Sequence, residues 1–216
     1  MLTRPHREVH MSPTRILAAA SVAVLSVSAA FAQQASTQRL AGTIEKVDGN
    51  VIYGKGRDGG AITLKLADDA SITAVLKATV ADIKPGAYIG SGAMPQPDGT
   101  QKAVEVHIFA RPQEDGGHHY ADWYGAPNGT MTNGFVEPTV VTAVGGAGDP
   151  VIVVKYPAGE KRIVVPASAH IVRYTPGAKD DLKAGAAFRT QAAAKQPDGT
   201  FTTKTINVGR DGGVPF

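Results

Sequence analysis

The amino-acid sequence predicts an all-β protein made of two small five-stranded barrels in tandem, each with one short helical turn before its last two strands. Three observations carry this. Apolar and polar residues alternate at the two-residue period of half-buried strands, as at Ile62, Leu64 and Leu66 and again at Val104, Val106 and Ile108. Turn dipeptides, Asp48-Gly49 and Asp98-Gly99 among them, punctuate these runs. The second half of the chain also rewrites the first: Asp82-Ile83-Lys84-Pro85-Gly86-Ala87 returns as Asp181-Leu182-Lys183-Ala184-Gly185-Ala186, and Gln96-Pro97-Asp98-Gly99-Thr100 returns unchanged as Gln196-Pro197-Asp198-Gly199-Thr200.

Taken in order, residues 1–32 read as an export signal. Arg4, Arg7 and Arg15 precede an apolar run over 16–32 that ends Ala30-Phe31-Ala32, a small-residue cleavage pattern with the cut after Ala32. The run reaches that cut before it attains the ~20 apolar residues of a spanning helix. Met11 is an alternative start, because Arg15 and the apolar run suffice as a signal. The expected address is periplasmic or secreted.

Residues 37–110 form the first predicted barrel and 133–208 the second. Gly42-Thr43-Ile44-Glu45 of the one corresponds to Gly134-Phe135-Val136-Glu137 of the other. β-Branched runs at 151–154 and 163–165 are bounded by Pro150, Pro157 and Pro166. Helical turns fit at 79–84 and 176–183, each followed by a glycine (Gly86, Gly185) where a left-handed residue commonly ends a helix. Three or four strands, a helical turn and a closing hairpin match a Greek-key barrel of the OB type, with a plain two-sheet sandwich as the alternative. Closure removes the exposed edges of a flat sheet. Residues 111–132 are a linker bearing His and Trp, and 209–216 a C-terminal tail.

The motifs G-x-[IV]-E, D-[IL]-K-x-G and P-D-G-T, with Met131-Thr132-Asn133-Gly134 after the linker, resemble an exported bacterial family of unknown function built on OB-like barrels, present here as two copies. The resemblance spans nearly the whole mature chain. Some relatives carry the label of metal ABC transporter permease. A mature chain without membrane helices is no permease, so the resemblance implies at most a soluble accessory role in metal transport.

Composition removes several functions. The 216-residue chain has no cysteine, which excludes a disulfide scaffold, a thiol enzyme and Cys-ligated metal centres. Losing the three Arg and one Glu of the signal leaves 19 basic against 18 acidic side chains. No basic cluster remains to track a run of phosphates, so nucleic acid is not an expected partner. G-x-S-x-G, P-loop and H-E-x-x-H patterns are absent, and no enzyme activity is expected.

Candidate site residues concentrate in the linker. His118 and His119 beside Asp122, with His107 folding back, could supply ligands to a transition metal, the one cofactor considered. Adjacent histidines face different ways, so a third ligand is required. The competing reading has Trp123 and the tyrosines plugging the seam between barrels while the histidines face water. Tyr120, Trp123 and Tyr124 are candidate ligand-binding residues, and Trp123 could stack on a sugar ring. His107 alternates with Val106 and Ile108 and corresponds to Asn207 in the repeat, which places it on an exposed polar face. Asp68-Asp69 reads as a turn. The expected function is an exported, non-catalytic binding or scaffolding protein for an envelope protein or small ligand. The alternative is a periplasmic metal-binding accessory protein using the linker histidines.

Overall fold

The computed structural model describes residues 37–112, 116–120, 128–137, 142–143 and 148–215, and their regular secondary structure is almost entirely strand. In the first half lie β1 (Thr37–Asp48), β2 (Val51–Gly56), β3 (Ala61–Lys77), β4 (Tyr88–Pro95) and β5 (Gln101–Ile108). Two short strands, β6 (Gly117–Tyr120) and β8 (Thr142–Ala143), flank β7 (Thr130–Val136) in sequence. The second half continues with β9 (Pro150–Tyr156), β10 (Gly159–Val164), β11 (His170–Pro176), β12 (Ala187–Lys195) and β13 (Phe201–Arg210). Single 3-10 turns at Val80–Asp82 and Lys179–Asp181 precede β4 and β12, shorter than the expected helical turns.

Two closed five-stranded rings result. In the first, β1, β2 and β3 form an antiparallel meander. β3 then pairs in parallel with β13, which returns through β12 to β1. In the second, β7, β9 and β10 form the meander. There β10 pairs in parallel with β5, and β4 returns to β7. The registers correspond: Phe201 lies opposite Leu64 in one ring and Gln101 opposite Ile163 in the other.

The all-β class therefore stands, but the connectivity differs from two barrels each closed within its own half. Every ring takes its meander from one half and its closing hairpin from the other. The cause is the length of β3. Its 17 residues exceed the usual 3–10 of a strand. After a register shift between Thr203 and Thr205 that accommodates residues 67–70, β3 runs on past the first ring and pairs antiparallel with β11, with Val75 opposite Tyr174. The chain is then beside the second ring when it forms the hairpin β4–β5. Asp68, expected in a turn, sits in this irregular stretch of β3 and accepts a hydrogen bond from Asn50 Nδ2 at 2.8 Å.

Each ring encloses its own apolar core. Leu40, Ile44, Ile52 and Leu64 of the first half meet Phe188, Ile206 and Val208 of the second. Ile89, Val106 and Ile108 of the first half meet Val136, Ile152, Val154 and Ile163 of the second. A small third cluster, Val75, Val172 and Tyr174 with Phe109 against it, lies where β3 and β11 pair between the rings.

The recurring motifs have backbone explanations. A Cβ on Gly42 would collide with the Lys55 carbonyl oxygen, and one on Gly134 with that of Lys155, so the adjacent strand approaches too closely for any side chain. In both Pro-Asp-Gly-Thr turns the glycine has positive φ, 82° at Gly99 and 84° at Gly199. The preceding aspartate accepts from the backbone and hydroxyl of the following threonine, at 3.0 and 2.7 Å for Asp98 and 2.9 and 2.7 Å for Asp198. Asp82 caps its 3-10 turn and accepts from Arg173 at 2.8 Å; Asp181 does the same with Arg210 at 2.6 Å. Among the described residues no helix is long and apolar enough to cross a membrane.

Candidate functional site

An open cleft of about 1510 Å3 lies beside the paired ends of β3 and β11, at the junction of the rings. Its walls come from both halves. β1 supplies Arg39, the end of β2 leads to Arg57, the residues after β5 supply Phe109 and Arg111, and β12 supplies Arg189. His107 of β5 and His119 of β6 also line it, and no Asp or Glu does so among the described residues. Arg57 donates to the Pro215 carbonyl at 3.5 Å, which ties the C-terminal segment to this wall.

The floor is aromatic. Phe109 and Tyr174 stack with ring centroids 5.3 Å apart, and the His107 ring meets the Tyr174 ring at 5.2 Å in a T-shaped arrangement. Behind His107 lies Glu105, which is 1% exposed. Its Oε1 is 3.2 Å from His107 Nε2. His170 lies opposite Glu105 on β11, and its Nε2 is 3.3 Å from the Val214 carbonyl oxygen. Burial holds the His170 imidazole below its ordinary pKa, against the Val214 carbonyl and the Glu105 carboxylate, which draw it upward.

The register isolates these groups as additions to the fold. Where β11 and β5 place His170 opposite Glu105, β3 and β13 place Ser71 opposite Thr205. Neutral side chains satisfy the same backbone positions there, so the acid and the two imidazoles are not required by the strand pairing.

His107 departs from the sequence expectation. Its side chain is only 12% exposed, because the rings of Phe109, two residues on along the chain, and of Tyr174 on the paired strand β11 pack against it where the alternation predicts water. The linker histidines diverge, as neighbours on a strand must. His118 Nδ1 lies 2.8 Å from Thr132 Oγ1, and its ring stacks on Tyr156. Burial, with Lys161 and His119 nearby, holds its pKa below the ordinary imidazole value. His119 turns to the cleft. Tyr120 is 79% exposed. Asp122, Trp123 and Tyr124 lie outside the described residues. Among the described residues no three His, Asp or Glu side chains gather as a metal set.

Sequence reasoning missed the arginines and Glu105. The arginines belong to no motif and converge only through the ring connectivity. Glu105 had one available signal, the contrast with Thr205 at the matching position of the repeat.

A second, apolar hollow of about 570 Å3 lies on the first ring beside Leu66, Ala67, Ala192 and Ala194. Comparison with known proteins finds no matching protein-family model, no matching curated protein and no matching solved structure.

Proposed function

We propose that this chain is an exported, non-catalytic binding protein whose ligand seat is the cleft between its two rings. The observation that supports this is the cleft itself, large, open and walled by guanidinium groups drawn from both halves. Ligand sites favour concave junctions between packed units, where walls from separate elements converge. The non-catalytic reading follows from the repeated motifs. Close strand approach, turn geometry and capping account for G-x-[IV]-E, P-D-G-T and D-[IL]-K-x-G, which leaves none of them to a reaction.

Duplication of an OB-like unit, with the closing hairpins exchanged, gives the scaffold this role needs. It fixes both cleft walls in one continuous hydrogen-bonded structure. Export rests on the 1–32 segment alone, and the mass of the protein recovered from envelope fractions tests it: the mature form begins at Gln33. A metal-transport accessory role has no supporting contact among the described residues.

The binding reading is tested by thermal shift against a small-molecule and glycan library, in the protein and in an Arg189→Glu variant. Ligands that raise the midpoint of the first and not of the second support it. Turnover in a hydrolase substrate panel, abolished by Glu105→Gln, contradicts it.

A further inference from the structure

We infer that the cleft takes an acidic oligosaccharide, a run of sugar rings bearing carboxylates, which rests on the cleft being the binding seat. Size comes first. At about 1510 Å3 the cleft exceeds the ~300–1,000 Å3 of sites for single drug-sized molecules, so several linked units fit where one leaves most of the space unfilled. Charge comes second. Arg39, Arg57, Arg111 and Arg189 all line the cleft, Arg39 and Arg189 near one another on the paired strands β1 and β12, and Arg57 and Arg111 in the segments that follow β2 and β5. A guanidinium fork pairs with a carboxylate through two parallel hydrogen bonds. A ligand with an anionic group on successive units offers a carboxylate to several of these four arginines at once.

The groups between the arginines specify the rest of the ligand. Ser71, Thr73, Gln191 and Asn207 offer hydroxyls and amides, which both donate and accept and so complement sugar hydroxyls. Thr175 is more telling. It lines the cleft, and its Oγ1 is buried with no hydrogen-bond partner among the described residues. A buried hydroxyl left unpaired costs about 1–3 kcal/mol, which a ligand hydroxyl would recover.

Other polyanions fit less well. Single-stranded nucleic acid needs open aromatic faces for its bases, and here Phe109 and Tyr174 are stacked on one another with Tyr174 buried. An extended acidic peptide binds readily by adding a strand to a sheet edge; both rings are closed by strand pairing, which leaves four-residue β6, paired with β7 alone, as the short edge at the cleft, and hexaglutamate tests it.

The test is calorimetric titration of the protein with hexamers of galacturonate, glucuronate and mannuronate at 50 and 150 mM salt. Methyl-esterified galacturonate hexamer, hexaglutamate and polyphosphate are the controls. At least one uronate is expected to bind, with affinity reduced tenfold or more by esterification and by Arg39→Gln combined with Arg189→Gln. Thr175→Val, which removes one hydroxyl at nearly constant volume, is expected to weaken binding about fivefold. Equal binding of the ester overturns the acidic ligand and leaves the cleft as a seat for neutral sugars. Tighter binding of hexaglutamate or polyphosphate overturns the sugar and keeps the anion. Uronate binding untouched by all three substitutions overturns the cleft as the seat. No binding of any uronate at millimolar concentration overturns the inference.

Discussion

Phe188 offers a sharp probe of the hairpin exchange. It belongs by sequence to the second half, yet its fully buried ring lies in the core of the first ring, where it packs with Leu40, Ile44, Ile52 and Leu64. β12 sets Phe188 opposite Gly42, and a Cβ on Gly54 would come within 2.9 Å of its ring. Truncating a buried Phe to Ala costs about 3–5 kcal/mol, a large share of the ~5–15 kcal/mol that holds a domain folded. Phe188→Leu keeps most of the apolar volume and is expected to cost about 1–2 kcal/mol, which leaves a folded protein to measure. The assay is amide hydrogen exchange in that variant. If the exchange of hairpins is real, protection falls first in β1 and β2, more than a hundred residues away in sequence. Loss confined to β9 and β10, with β1 and β2 unchanged, would refute the reasoning.

Three further outcomes follow from the same structure. Gly134→Ala should destabilise by about 2 kcal/mol or more, since the clash is with the Lys155 backbone, and urea unfolding measures it. Gly116→Ala meets the end of the Tyr88 side chain at 3.2 Å, with a proline ring and the Asn133 carbonyl oxygen at ordinary contact distance, and should cost less than half as much in the same assay. Stability should fall in acid in two stages. Burial holds His118 and His170 below the ordinary imidazole value, so the unfolded chain takes up protons first as pH drops below about 6.5. Hydrogen bonds from Thr79, Thr100, Arg210 and Thr200 hold Asp82, Asp98, Asp181 and Asp198 below the ordinary carboxylate value, so the stability they confer is present above about pH 4 and is lost as pH falls further. A thermal midpoint that stays level or rises from pH 7 to pH 3 contradicts both assignments.

The strands and turns were legible because their signals are local. Alternation at Ile62 to Leu66 and the Asp-Gly dipeptides report on backbone conformation within a few residues, and the structure shows strands and turns at those places. Which hairpin closes which ring is not a local property. Leu64 faces Phe201 and Ile163 faces Gln101, and the two partners have matching places in the repeat, so the strand-level pattern fits closure within a half as well as across halves. The deciding feature is that β3 passes the first ring without turning, and the Asp68-Asp69 pair inside it reads in isolation as a turn. The cleft was hidden for the same reason. Glu105 and His107 occupy the polar phase of β5, which usually means water; the paired strand β11, whose Tyr174 packs on His107, lies more than sixty residues away. The arginines at 39, 57, 111 and 189 meet only once the connectivity is known.

The hairpin exchange is tested most directly by cross-linking, which the absence of native cysteine makes clean. Thr43 of β1 lies opposite Ala187 of β12, while Tyr88 of β4 lies opposite Phe135 of β7. Directly opposed residues on antiparallel strands are about 4.5–5.5 Å apart at Cα, within the reach of a disulfide. In the monomer, Thr43→Cys with Ala187→Cys should form an intramolecular disulfide on mild oxidation, and Thr43→Cys with Tyr88→Cys should not. The reverse result, a bond to position 88 and none to position 187, would mean that each half closes on itself.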